Sequence, residues 1–286
     1  MNTALLWIEA TRPKTLFASI APVLIGTCFA IQQGAFSWLV CVLTFLAALG
    51  LQIGANFAND YYDFLKGADT ASRKGPRRMT QTGLISLSDM RLATFLTFSF
   101  VALLCVYLIA RGGPAFALFT TLSIFVAVAY TGGPWPLAYL GLGELFVFFF
   151  FGPLATAGTA YLHTLSFTLE SVLLGFTPGL LATAILVVNN LRDMKDDRKA
   201  GKKTLAVRFG KFFTQIEYTF CILAGCLLPL FLGWWLSAFA LIPALIPLKS
   251  VWRFTDEKEL NTTLAQTGKI ELLTAALIAF ALLMTR

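Results

Sequence analysis

The chain has 286 residues, of which 57% are hydrophobic and 13% charged, about half the charged fraction of an ordinary soluble domain. Mean hydropathy is +0.75, and the apolar runs are about 20 residues long without alternation, so helices rather than a closed barrel must span lipid. No stretch is left over for a separate soluble domain. The single histidine, His163, rules out a His-based metal site and a Ser-His-Asp triad. The five cysteines lie inside apolar runs and lack metal-ligand spacing. The net charge of +7 gathers in loops beside the apolar runs, which points to orientation in a bilayer and not to nucleic acid.

The expectation is an all-α polytopic membrane protein of about nine transmembrane helices. A partly polar start, residues 1–14, carries Glu9, Arg12 and Lys14. The first span, 16–31, is kept as a helix: Pro22 interrupts it and no small-residue cleavage site ends it, unlike a signal peptide. Further spans are expected at 37–56, 92–110, 115–130, 142–161, 172–190, 213–231, 234–248 and 270–284. With a cytoplasmic N-terminus, this order places every one of the 22 Lys and Arg residues except Arg111 and Arg286 on the inner side. Adding or losing an early helix would destroy that bias. The chain therefore reads as a single transmembrane domain, 1–286, of two parallel halves, about 1–140 and 141–250, with a last helix added.

Two spans run into polar motifs. The second ends in Asn56, Asn59, Asp60 and Asp63, which fall within roughly a 100° arc of one helical face. Asp69 and a basic loop of Arg73, Lys74, Arg77 and Arg78 follow. The sixth ends in Asn189, Arg192, Asp193 and Asp197, followed by Arg198 and Lys202. Carboxylates and amides on one face are hard oxygen ligands of the kind Mg2+ takes, together with substrate phosphates. The neighbouring cations can neutralise phosphate oxygens. Charges at helix ends also snorkel or form surface pairs. Two motifs sharing an N-x-x-x-D core and a basic loop argue instead for a metal–diphosphate clamp at the inner ends of two helices. Asp89 and Asp196 lack this support and are taken as solvated charges.

The fifth span opens with Glu144 and continues as a phenylalanine-rich run to Phe151. Aromatic faces can stabilise a cation, but most of this run is assigned to lipid or helix packing. Glu144 is an ionisable group at membrane depth and a functional candidate, with stabilisation of the helix N-terminus as the bland alternative. Tyr130 closes the fourth span. A secondary transporter is the competing class, but transporter sites lie near the bilayer midplane, whereas these acids lie at helix ends.

The chain resembles the UbiA-type intramembrane aromatic prenyltransferases. The resemblance rests on Arg12 to Leu16, the Asn56-to-Asp63 motif, Gly67 and Asp69, Arg73 to Arg78, Tyr130-Thr131, Gly141 to Glu144, the Asn189-to-Asp197 motif and Gly201 to Arg208. Within that family it is most similar to the branch acting on 1,4-dihydroxy-2-naphthoate; 4-hydroxybenzoate or another acceptor is the alternative. The resemblance implies a helical bundle with a central cavity open to lipid. It implies Mg2+ held by Asn59, Asp60, Asp63, Asn189, Asp193 and Asp197, with Asp63, Asp69, Asp193 and Asp197 as the catalytic acids. Lys14, Asn56, Arg73, Lys74, Arg77, Arg78, Tyr130, Glu144, Arg192, Arg198 and Lys202 would contact a polyprenyl diphosphate or the aromatic acceptor. The implied location is a cell inner membrane, with the active site toward the cytoplasm. Two departures stand out: the usual third acid of the first motif is Gly67, and residues 132–137 carry no cation.

Overall fold

The computed structural model describes residues 2–68 and 74–285, and no strand occurs among them. Helix α1 (Thr3–Ala10) starts where the Asn2 side chain accepts from the Ala4 N–H at 3.0 Å. A short 3₁₀ turn (Pro13–Thr15) leads into α2 (Phe17–Gln32), and the two helical pieces meet at a bend of 58°. Helix α3 (Trp38–Leu65) is capped by Ser37, α4 (Leu87–Ala129) by Ser86, and α8 (Leu169–Lys199) by Thr168, hydroxyls that satisfy orphan N–H groups of a first turn. Between them lie α5 (Leu137–Leu140), α6 (Gly143–Phe150) and α7 (Pro153–Thr164). Helices α9 (Leu205–Leu227), α10 (Leu241–Arg253) and α11 (Leu260–Met284) complete the chain.

Helix α4 has 43 residues, about 65 Å at 1.5 Å per residue and twice the hydrocarbon thickness of a bilayer. It is broken at Gly113 (φ 74°, ψ −167°), with Pro114 next. The half before the break runs antiparallel to α3, with Phe98 against Gly54 and Val101 against Gly50. The half after it returns, so that Thr131, just past its end, meets Lys66 at the end of α3. Seven helices are long and apolar enough to cross a membrane, or eight with the bent α1–α2 pair as one span. Splitting α4 at Gly113 brings the total among the described residues to nine, in line with the expectation. The sequence reading missed helix α1 within the polar start. It also missed the 3₁₀ stretch Trp235–Ala240 that opens the eighth span.

Helix α8 is the centre of the bundle, with 72% of its most apolar window buried. Its Leu181, Ala184, Val187 and Val188 pack with Tyr218 and Ile222 of α9 and Leu260 and Ile270 of α11. At the end of the bundle away from the motifs, Arg111 donates to the Leu162 and His163 carbonyls at 2.5 and 3.0 Å. There the Ser37 N–H donates to His163 Nδ1 at 3.2 Å. The lone histidine thus ties α3 to α7.

The two motif helices end alike. After α3, Gly67 (φ 63°) donates to Phe64 O at 3.0 Å and Ala68 to Asp63 O at 2.9 Å. After α8, Gly201 (φ 74°) donates to Arg198 O at 3.2 Å and Lys202 to Asp197 O at 2.9 Å. Both are Schellman caps, in which a left-handed residue satisfies the last carbonyls. Gly67, at the position of the missing acid, takes the left-handed conformation of this cap without strain. The caps match Asp63 with Asp197, one helical turn away from the Asp63–Asp193 match suggested by the sequence motifs. Substituting Gly201→Ala is expected to cost about 1 kcal/mol. It should appear as a lower Tm in detergent, while Gly201→Asn, which tolerates the left-handed region better, should lose less.

Candidate active site

A cavity of ≈ 300 Å³ lies between α2, α3, both halves of α4, α6, α7 and α8. Along α3 its wall extends from Thr44 to Asp63, about 28 Å of helix rise, so it runs through most of a bilayer's thickness. One end is polar and holds Asn59, Asp63, Arg78, Asn189, Asp193, Asp197 and Lys202. The rest is mainly apolar. Phe146, Phe150 and Phe119 stack in series along it, with centroids 6.1 and 6.4 Å apart.

Asp63 is only 1% exposed. Its Oδ2 accepts from Arg78 Nη2 at 3.0 Å, and its Oδ1 accepts from the Tyr139 hydroxyl at 2.9 Å. Lys202 Nζ lies 3.5 Å from Asp63 Oδ1 and 3.5 Å from Asp197 Oδ1, joining the two motifs. The Tyr139 ring is flanked by cations, with Lys66 and Lys202 ammoniums 4.7 and 4.9 Å from its centroid, an arrangement favoured by the ring quadrupole. Across the cavity, the Arg192 guanidinium grips both Asp193 oxygens at 2.8 and 2.7 Å. It also donates to Asn189 Oδ1 at 2.7 Å and Asn261 Oδ1 at 3.0 Å. Asn261 in turn donates to Lys74 O at 3.0 Å, pinning the first motif's loop to the second motif.

Of the residues singled out from the sequence, Asn56, Asn59, Asp63, Arg78, Tyr130, Asn189, Asp193, Asp197 and Lys202 all line this one cavity. Asp69 and Arg73 lie outside the described residues. The others sit elsewhere. Asp60 is at the far edge of the α3 arc, and its two oxygens accept from the Met79 and Thr80 N–H groups at 2.9 and 3.1 Å. It holds the loop rather than joining the oxygen ligands. Arg77 faces outward and is paired with Glu9 at 2.7 Å. Lys14 is exposed, and Arg12 lines the cavity in its place. Arg198 is exposed and reaches Val207 O, and Lys74 contributes its carbonyl to Asn261. Arg192 stands behind Asp193 rather than in the cavity wall. Glu144 lies behind the wall, where its Oε1 accepts from Asn190 at 2.8 Å.

Sequence reasoning missed Tyr139, Asn190, Asn261 and Lys66. Tyr139 sits in an apolar tetrapeptide with no charged neighbour, and Asn261 is nearly 70 residues from Arg192 along the chain; neither carries a local signal. Lys66, at the end of α3, lies beside the segment noted above for its lack of a cation: it donates to Thr131 O at 2.6 Å and Gly133 O at 3.4 Å. Partial burial pulls its ammonium below the usual lysine value, with Asp63 opposing.

Among the described residues, no three His, Cys, Asp or Glu side chains converge as a ready-made metal cage. The donor set nevertheless suits a hard cation that takes one or two carboxylates and completes its shell with phosphate and water. Asp63 and Asn59 on α3 and Asp193, Asp197 and Asn189 on α8 offer oxygens from opposite walls. The adjacent arginines make a stability test. Arg78→Ala deprives a buried carboxylate of a charged donor and should cost about 2 kcal/mol or more. Arg77→Ala removes an exposed pair and should cost under about 1 kcal/mol. Thermal unfolding of the two variants side by side measures the difference.

Comparisons with known proteins identify the family and the fold. The UbiA prenyltransferase family model matches residues 19–273. The 1,4-dihydroxy-2-naphthoate octaprenyltransferase of Escherichia coli (strain K12) is 37% identical, over 98% of this chain and 96% of that protein. The protein of the same name from Haemophilus influenzae is 38% identical, over 97% and 96%. Among solved structures, a UbiA homolog from Archaeoglobus fulgidus bound to DMAPP and Mg2+ superposes with a TM-score of 0.70 at 18% identity, covering 97% of this chain and 99% of that one. The apo UbiA homolog from Aeropyrum pernix K1 gives 0.69 at 14% identity, over 94% and 96%. By family model and by full-length identity, the chain belongs to the UbiA prenyltransferase family.

Proposed function

We propose that this membrane enzyme transfers a polyprenyl group from an allylic polyprenyl diphosphate to 1,4-dihydroxy-2-naphthoate, releasing diphosphate and carbon dioxide, as a step of menaquinone biosynthesis. One observation carries the reading. A single cavity joins the carboxylates of both motifs and the cations Arg78 and Lys202 to a long apolar shaft, which is the shape of a diphosphate head with an isoprenoid tail. The choice of acceptor rests on the names of the bacterial relatives. A transporter is disfavoured because the charged groups sit at one end of the cavity and not at mid-depth.

Asp63, Asp193 and Asp197, with Asn59 and Asn189, would hold magnesium. When bound, the metal supplies positive charge at the diphosphate oxygens. Arg78 and Lys202 stabilise the negative charge that grows on the leaving group as the allylic C–O bond breaks. Arg192 and Tyr139 keep the carboxylates aimed. The stacked Phe146, Phe150 and Phe119 rings shield the allylic carbon from water and present their faces to positive charge. The acceptor ring attacks the allylic carbon, and its carboxylate leaves as CO2 from the attacked carbon. The distribution of Lys and Arg orients the head-group end toward the cytoplasm.

The decisive experiment uses purified protein in lipid with a polyprenyl diphosphate and 1,4-dihydroxy-2-naphthoate, following diphosphate, CO2 and prenylated product. Chelation should abolish turnover and added Mg2+ restore it. Asp63→Ala and Asp193→Ala should each lower turnover at least about 100-fold while leaving a folded, monodisperse protein. Near-wild-type turnover in either variant overturns the assignment, and turnover only with another hydroxyaromatic acid moves the acceptor but keeps the clamp.

A further inference from the structure

The proposed reaction leaves one buried polar pair without a task. Asn190 on α8 lines the cavity one helical turn before Asp193, just beyond the charged end. Its Nδ2 donates to Glu144 Oε1 at 2.8 Å. The two side chains are 5% and 7% exposed, and Glu144 Oε2 is buried with no hydrogen-bond partner. Tyr130, also in the cavity wall, places its hydroxyl against Gly143, next to Glu144. A carboxyl group within a lipid-embedded bundle is costly, so a structural role alone would be filled more cheaply by an apolar residue.

Most other polar side chains along the shaft are already committed. Ser19, Ser123 and Thr159 donate back to carbonyls of their own helices or the preceding turn. Gln52 and Asn56 donate to Thr15 and to the Thr11 carbonyl. Asn190 differs because its donor end is fixed by an ionisable group across a helix interface. A planar amide held by its NH2 turns its carbonyl oxygen away from that partner.

We infer, on the basis of the proposed function, that Asn190 is the docking point for a hydroxyl of the aromatic acceptor and that Glu144 is the positioning residue that sets its amide. The acceptor hydroxyl donates to Asn190 Oδ1. That bond pushes electron density into the ring carbon that attacks. The step balances without a base. The allylic C–O bond breaks with its electron pair going to the diphosphate, and the ring–carbon bond forms from the ring's π electrons. The C–CO2⁻ bond then breaks, returning its pair to the ring and releasing CO2. The hydroxyl keeps its proton throughout, so a neutral amide acceptor is sufficient.

The test is steady-state kinetics on Asn190→Leu, Glu144→Gln and Glu144→Leu in lipid, varying acceptor and prenyl diphosphate separately. Gln keeps an oxygen that accepts from Asn190, whereas Leu does not. Asn190→Leu and Glu144→Leu should raise the acceptor KM about tenfold and leave the prenyl diphosphate KM within about twofold. Glu144→Gln should stay within about threefold of wild type on both. Prenyl diphosphate binding, read by tryptophan fluorescence, verifies that each variant is folded, and Asn190→Ser provides a milder replacement if Leu is not accommodated. Glu144→Gln as damaged as Glu144→Leu overturns the inference, since it would show that the charge and not the hydrogen bond matters. An unmoved acceptor KM in Asn190→Leu, or equal rises in both KM values, overturns it too. These outcomes require normal wild-type turnover. A wild-type protein that prenylates no hydroxyaromatic at all overturns the functional reading, and the Asn190 assignment with it.

Discussion

The carboxylates buried at the polar end of this lipid-embedded bundle are matched by buried donors, and that pairing shapes this end of the molecule. Asp63 and Asp193 are almost fully enclosed, where an unpaired charge would cost several kcal/mol. Compensation comes from distant parts of the chain: Arg78 from the loop before α4, Tyr139 from α5, Lys202 from the turn after α8, and Arg192 from α8 itself. Each pairing draws one more element to the same end. The site is therefore also the fastening that holds α3, the α4–α5 connection and α8 together.

Backbone chemistry makes this convergence possible. Both motif helices stop in the same cap, with glycine at the left-handed position and a motif carboxylate, Asp63 or Asp197, four residues before it. The cap turns the chain sharply. After α8 it brings Lys202 back beside Asp197, from where its ammonium also reaches Asp63. A helix running one turn further would carry that lysine away from the carboxylates. The break at Gly113 acts on a larger scale, folding one 43-residue stretch into two antiparallel spans and delivering Tyr130 and Thr131 to the site.

The division between a charged end and an aromatic shaft also separates the chemistry. In the proposed reaction the cations and carboxylates take the phosphate-bearing head, and the stacked phenylalanines enclose the allylic carbon. The amide of Asn190 lies at the boundary between the two, which is why it is proposed as the docking point for the acceptor ring.

The class of fold, the order of spans and the two polar motifs were legible along the chain. Hydrophobic run length, the crowding of Lys and Arg into a few loops, and the helical spacing of Asn59, Asp63, Asn189 and Asp193 are all read directly along the chain. Tertiary structure decided which of those charges face the cavity. Asp60 and Asp63 are equivalent by composition, yet one clamps a loop backbone and the other lines the site. Arg77 and Arg78 are neighbours, yet one faces solvent and the other is buried on Asp63. A rotation of one or two residues about a helix or loop selects between these fates, and it is set by what packs opposite. Tyr139 and Asn261 had no local signal because their roles come entirely from partners far away in sequence, and Asn190, though inside the second motif, meets Glu144 only through the fold.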